Sequence, residues 1–285
     1  MADPKWFIEF KRRIRSRRMV REVLRRDPTS QPHGLSAPLI VSLTSYPARF
    51  KTLPLALQTI RQQTVRADQI ILTLTEGDET QLPDDVLRLQ ADGLVIRTYS
   101  RNIRSYTKLI PVLRDNPEAF IVTCDDDVYY PEDWLQGLVD CATRHPGRII
   151  SHRAHRVRHG DDGRLLSYEA WEKNIGGAVE GADIFATGVG GVLYPPGSLD
   201  PMVFEEDRFM RLCPTGDDLW FYWMARRRGT LIRHVGPKTR IIEWPGCEHS
   251  GLVLTNRGIP HDNGNDRAIR ALTAELGPLI VTADP

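Results

Sequence analysis

Thirteen residues constrain this chain more than any other stretch: Ala119-Phe120-Ile121-Val122-Thr123-Cys124-Asp125-Asp126-Asp127-Val128-Tyr129-Tyr130-Pro131. An apolar run bounded by turn signals predicts a buried strand, and Pro131 ahead of Glu132-Asp133-Trp134-Leu135 predicts a helix start. The carboxylates therefore fall at a strand end, the edge where open α/β sheets take ligands. Crowded carboxylates repel one another unless a cation lies between them, and a divalent metal is one reading of the triplet. The other is a surface turn whose Asp side chains accept backbone hydrogen bonds at the helix start.

The preceding chain alternates strand and helix patterns. Leu39 to Leu43, Gln69 to Thr75, Leu94 to Thr98 and Ala119 to Cys124 read as strands. Leu53, Leu57 and Ile60 share one face of an intervening helix, and a second helical segment runs from about Ser105 to Leu113 before Asn116-Pro117 stops it. This order predicts an α/β fold with a mostly parallel central sheet flanked by helices. No Gly-x-Gly-x-x-Gly follows the first strand and no Walker motif is present, which disfavours a dinucleotide enzyme or a P-loop NTPase.

Residues 1–27 carry ten Lys or Arg against four Asp or Glu, with Trp6, Phe7, Phe10 and Ile14 at helical spacing. That mixture suits an interfacial helix on anionic lipid, a helix docked on the domain, or a nucleic-acid arm. The whole chain has a formal net charge of only +1, so nucleic acid is not an expected partner. Residues 28–38, rich in Pro, Ser and Gly, read as a linker, leaving residues 39–285 as the folded domain. No stretch is long and apolar enough to span a membrane and the N terminus lacks the core of a signal peptide, so a cytoplasmic location is expected. Cys124, Cys141, Cys213 and Cys247 have no metal-site spacing and read as reduced thiols.

Beyond the triplet, Arg148 to Val157 reads as a strand, and Ser167 to Asp183 as an irregular region in which Trp171 packs rather than stacks on a ligand. Gly188-Val189-Gly190-Gly191 leads a strand ended by Pro195-Pro196-Gly197; its glycines admit a ligand closely or relieve crowding within the protein. Gly216-Asp217-Asp218 enters a helix through Leu219 to Ala225, with Thr215 or Asp217 as its cap. The 246–266 tail offers His249, His261 and several Asn and Asp side chains.

Thr44 to Arg49 after strand one, Val122 to Asp127 at strand four, Gly188 to Pro196, and Gly216-Asp217-Asp218 together resemble a GT-A fold glycosyltransferase, close to the family 2-like bacterial nucleotide-sugar enzymes. The resemblance implies a Rossmann-like nucleotide-binding half over 39–130 and an acceptor-binding half with an irregular region over 131–285. It places Thr44, Tyr46, Arg49, Lys108, Asp125 and Asp126 around the nucleotide. Asp127 would hold Mn²⁺ or Mg²⁺, with His249 or His261 completing the shell. One carboxylate of the Asp217-Asp218 pair would be the base of an inverting transfer, Asp218 preferred, although Gly216 precedes the pair where Glu is often found. Expected partners are a nucleotide-diphosphate sugar donor, a cell-surface glycan or lipid-linked acceptor, and an anionic membrane surface reached through the N terminus. A metal-dependent nucleotidyltransferase and a non-catalytic carbohydrate-binding protein are the alternatives.

Overall fold

The computed structural model describes residues 5–26, 29–247 and 264–279. In chain order the elements are α1 (Lys5–Val23), β1 (Gln31–Pro32), β2 (Leu39–Thr44), α2 (Leu53–Arg61), β3 (Val65–Arg66), β4 (Gln69–Thr75), α3 (Asp84–Arg88), β5 (Leu94–Tyr99), α4 (Ile110–Asp115) and β6 (Phe120–Thr123). There follow α5 (Trp134–Arg144), β7 (Ile149–Ser151), β8 (Ala154–Arg156), β9 (Glu180–Gly181), β10 (Ile184–Ala186), β11 (Val192–Tyr194), α6 (Glu206–Leu212), α7 (Asp217–Arg228), β12 (Ile232–His234) and α8 (Gly264–Leu276).

The central sheet has eight strands in the order β5-β4-β2-β6-β11-β7-β12-β9. Its first half is parallel, β2 lying between β4 and β6 with Ser42 opposite Thr123. Then β11 enters antiparallel between β6 and β7, placing Val192 opposite Thr123. The expected α/β class, a mixed sheet flanked by helices, is what the chain adopts.

Alternation on β2 shows why both faces are covered. Leu39, Val41 and Leu43 pack with α2 and α5, whereas Ile40 packs with α4 and α7 on the other face. A strand buried on both sides needs the near-continuous apolar run that this sequence supplies. Helix α7 is buried from Leu219 through Ala225, all round rather than along one stripe, because the sheet, α6 and α8 enclose it.

Several boundaries differ from the sequence reading. The segment from Ser105 divides into a 3-10 turn, Arg104–Lys108, and α4, which restarts with Pro111 in its first turn. Helix α5 begins at Trp134, three residues after Pro131, whose carbonyl accepts from Trp134 N–H and from Gln63 Nε2. The 148–157 strand is two strands: β7 stays in the main sheet, and after His152-Arg153 the chain pairs β8 with β10 in a separate ribbon.

The N-terminal segment is docked. Val23 is buried against Ala56, Tyr129 and Trp244, and Ser16 Oγ donates to the Glu243 carbonyl at 2.7 Å. Arg26 donates to the Tyr129 hydroxyl, which donates to Glu22, tying the end of α1 to the residues that follow the acidic triplet. The expected linker contributes β1, paired with β3, and His33 and Leu39 N–H both engage Asp68. The outer face of α1 exposes Phe10 and Ile14 among its arginines. Among the described residues, no helix is long and apolar enough to cross a membrane.

Candidate functional site

Strand β6 ends at Thr123, and the next four residues sort their side chains by direction. Cys124 points into the core, fully buried, and burial holds its thiol well above the ordinary range. Asp125 N–H donates to the buried Tyr130 hydroxyl at 2.8 Å, closing the turn. Asp126 is buried and accepts from Ser45 Oγ at 2.5 Å and Arg49 Nη1 at 2.7 Å, fastening the loop after β2 to the end of β6. Arg49 Nη1 also lies 2.7 Å from Asp127 Oδ2, and the guanidinium sits 5.5 Å from the centroid of the Tyr46 ring. Burial works against the Arg49 charge, but Asp126 and Asp127 more than offset it and raise its pKa.

Lys108 is the hub of the site. Its Nζ lies 3.1 Å from Asp125 Oδ1 and 3.2 Å from Asp217 Oδ2, and Asp218 adds to the field upon it. Lys108 is 6% exposed. Burial opposes its charge, and the three carboxylates hold its pKa well above the ordinary lysine value all the same. Its position is set by the 3-10 turn, whose last carbonyl accepts from Ser42 Oγ of β2 at 2.6 Å. A single buried cation thus joins the triplet on β6 to the acidic pair at the start of α7, some ninety residues later.

The two members of that pair are treated differently. Asp217 is tied to Lys108 and accepts from Ser105 Oγ at 2.8 Å. Asp218 accepts from Gly188 N–H at 2.9 Å, and burial followed by the neighbouring Asp217 charge pushes its carboxyl up to about 7. Gly216, which has no side chain to offer, stands at the cap position of α7 in place of Thr215 or Asp217, and the Asp217 carboxylate is engaged by Ser105 and Lys108.

The glycine block is explained by crowding inside the protein. A Cβ at Gly188 would stand 2.7 Å from Asp218 Oδ1 and 2.8 Å from Lys108 Nζ, and one at Gly191 would stand 2.5 Å from the Trp134 ring. Gly190 and Gly191 also have positive φ, 107° and 99°. Trp134 Nε1 donates to the Gly190 carbonyl at 2.7 Å, locking the loop over the sheet edge. Trp171, 2% exposed against Tyr168 and Phe185, is a packing residue as expected.

Asp127 bears on whether a metal fits. Burial, then the charge of Asp125, pushes its carboxyl up to about 7. Two hard oxygen donors one residue apart, repelling each other at a strand end, match the protein share of a Mg²⁺ or Mn²⁺ site whose other ligands are substrate phosphates and water. Among the described residues, no group of three or more His, Cys, Asp or Glu side chains is placed to hold an ion unaided. Segment 242–244 runs beside the turn, Trp244 N–H donating to the Asp127 carbonyl at 2.9 Å. His249 and His261 lie outside the described residues. Thr44 closes β2 at the same edge, and Tyr46 is 41% exposed beside it. A cavity of about 310 Å³ lined by Pro38, Asp68, Gln69, Asn116 and Ala119 lies at the opposite, amino-terminal edge of the strands.

No protein-family description matches the sequence, and no curated protein matches it. Solved structures that match part of this chain include two glycosyl-transferring enzymes. The mannosyltransferase PcManGT from Pyrobaculum calidifontis, in complex with GDP-Man and Mn²⁺, is 17% identical at a TM-score of 0.36, over 49% of this chain and 42% of that one. Glucosyl-3-phosphoglycerate synthase from Mycobacterium tuberculosis, in complex with Mn²⁺, UDP and glucosyl-3-phosphoglycerate, is 16% identical at a TM-score of 0.32, over 41% of this chain and 43% of that one. The chain thus spans under half the length of either, and similarity this partial says nothing about which residues act.

The structure brings Asp125, Asp126, Asp127, Arg49, Lys108, Asp217 and Asp218 into one cluster. Sequence reasoning missed Ser45, Ser105 and Tyr130, which hold three of those carboxylate residues in place. Ser45 lies inside the Thr44 to Arg49 block and was within reach of the sequence. Ser105 carries no local signal.

Proposed function

We propose that this chain is a GT-A glycosyltransferase that moves a sugar, with inversion, from a nucleoside-diphosphate donor to a glycan or lipid-linked acceptor. The observation that carries the reading is Lys108, which draws Asp125 of the strand-end triplet and the Asp217-Asp218 pair to the same ligand-binding edge of the sheet. In this reading residues 39–130 bind the nucleotide, with Thr44 and Tyr46 beside it, and residues 131–285 bind the acceptor. Asp127, with Asp125 close by, would hold Mn²⁺ or Mg²⁺, which when bound offsets the negative charge of the diphosphate.

The protein's own part is proton transfer and positioning. Asp218 takes the proton of the acceptor hydroxyl while that oxygen forms a bond to the anomeric carbon. The bond from that carbon to the diphosphate oxygen breaks, and the electron pair leaves with the nucleoside diphosphate. A carboxylate raised to about 7 is matched to this task near neutral pH. Asp217 is ion-paired with Lys108 and accepts from Ser105 Oγ, which in this reading gives it a positioning part and leaves the proton to Asp218. Arg49 and Asp126 brace the loop bearing Tyr46.

The test is thermal stabilisation by a panel of nucleoside diphosphates and nucleotide sugars, with and without Mn²⁺. One base should stand out, shifting Tm by about 5 °C or more at saturation only when Mn²⁺ is present. A panel without any shift would contradict the reading. The exposed Phe10 and Ile14 of α1, set among arginines, further support contact with an anionic membrane surface. Phe10→Ser/Ile14→Ser should abolish co-sedimentation with phosphatidylserine vesicles without changing Tm; unaltered sedimentation would place the contact elsewhere.

A further inference from the structure

Arg153 stands out from the other cations near the site. It lies in the two-residue link where the chain leaves β7 for β8, and Nη1 donates to Thr187 Oγ1 at 3.0 Å. Among the described residues, no carboxylate lies within ion-pair distance of it. Arg49 and Lys108 each have two such partners. Its stem packs where Gly190 leaves room, a Cβ there standing 3.1 Å from Arg153 Cβ. The Asp218 carboxylate and Tyr168 both act electrostatically on its guanidinium.

A guanidinium cannot shed its charge, and burial without a counter-charge is costly. This one is half-buried, and burial lowers its pKa, the opposite of what the paired Arg49 shows. One of its five N–H donors meets Thr187 Oγ1, and among the described residues its nitrogens are not among the buried atoms left without a partner, which leaves donors for a ligand. Nearby, Lys173 Nζ sits over the Tyr168 ring, and the buried His155, held neutral with a pKa lowered to about 4 by burial and then by its surroundings, bears the repulsion of both Arg153 and Lys173. Arg153 and Lys173 thus act on the same imidazole of β8, while Asp266 accepts from Tyr168 N–H and Arg156 is paired with Asp183, which leaves Arg153 as the cation without an ion pair among the described residues there.

We propose that Arg153 is an acceptor-binding residue, and that the acceptor carries an oxyanion, a carboxylate or a phosphate, near the hydroxyl that Asp218 deprotonates. The proposal rests on the transfer reading for the role of Asp218. It identifies the charge of the acceptor, which that reading leaves open. Thr187 and the Gly188–Gly191 loop set the height of the guanidinium over the sheet edge, so the anion and the reacting hydroxyl are presented together.

The test uses the full chain and ligand-observed NMR titrations with inorganic phosphate, methyl β-glucuronide and the neutral methyl β-glucoside. Wild-type protein should bind the two anions and not the glucoside. Arg153→Gln should weaken both anions on the order of tenfold to a hundredfold, Arg153→Lys should restore part of the loss, and nucleoside-diphosphate affinity with Mn²⁺ should stay within about threefold. Equal anion binding by Arg153→Gln, or glucoside binding as tight as glucuronide, would overturn the proposal. So would a nucleoside-diphosphate affinity that falls with phosphate affinity, because the anion would then belong to the donor. Anion binding through Arg153 in a protein that binds no nucleotide would leave this subsite standing and end the transfer reading.

Discussion

Asp218→Asn lowers the rate of sugar transfer by about 100-fold to 10,000-fold while leaving Mn²⁺-dependent donor binding intact. The size is that of a lost general base. The selectivity follows from position: Asp218 accepts from Gly188, and the proposed function gives it the acceptor, whereas it gives Asp127 and the Tyr46 loop, tied together by Arg49, the donor. Because the carboxyl is raised to about 7 and acts in its ionised form, wild-type kcat/KM should climb as pH rises through about 7 and then level off. The Asn variant should lack that limb. Steady-state kinetics from pH 5 to 9 on both proteins, with donor binding measured in parallel, checks the prediction. A variant retaining most of its rate would make Asp217 or a residue elsewhere the base.

Lys108→Met should be the most destabilising substitution at the site, by about 3–5 kcal/mol, the usual cost of removing one partner from a buried charged cluster. Methionine fills similar volume, so the loss is electrostatic: Asp125, Asp217 and Asp218 would share a pocket with no cation between them. The pH dependence has a definite sign. Lys108 has a raised pKa and stays charged in both folded and unfolded chains from pH 5 to 8, so its own titration adds nothing in that window. The Asp218 carboxyl, already raised to about 7, would rise further without the Lys108 charge that lowers it. Protonating it relieves the repulsion, so the deficit should shrink from pH 8 to pH 5 in urea unfolding. A deficit of the same size at both values would mean that Lys108 matters for packing rather than charge.

The parallel half of the fold was legible because its strands are apolar runs buried on both faces, and Leu39 to Thr44 and Gln69 to Thr75 announce themselves by composition alone. The later strands were harder. β7 and β8 lie in one stretch, Arg148 to Val157, with no Gly or Pro to part them, and only the ribbon partner β10 decides that the chain leaves the main sheet at His152-Arg153. Docking of α1 was likewise one of three readings of the same residues, because Val23 finds its partners, Tyr129 and Trp244, a hundred and more residues away. At the site, the triplet and the Asp217-Asp218 pair were visible as acidic motifs. That one lysine joins them was not, since the resemblance places Lys108 beside the nucleotide and its two carboxylate partners lie in two separate segments downstream of it. Arg153 carried no signal, because what marks it is that no carboxylate among the described residues pairs with it.

The central claim, that the strand-end carboxylates serve a metal-bridged nucleoside diphosphate, is tested most directly by calorimetric titration of the nucleotide selected in the thermal panel, with Mn²⁺ and with chelator, into wild type and Asp127→Asn. Binding should require Mn²⁺ and should fall on the order of tenfold or more in the variant. The Asp127 carboxyl, raised from 3.8 to about 7 by burial and Asp125, resists ionisation in the fold, a penalty absent below about pH 4 and complete above about pH 7. The same variant should therefore melt higher than wild type at pH 8 even as it loses the ligand. Equal affinity with and without Mn²⁺, or undiminished binding by Asp127→Asn, would contradict the account.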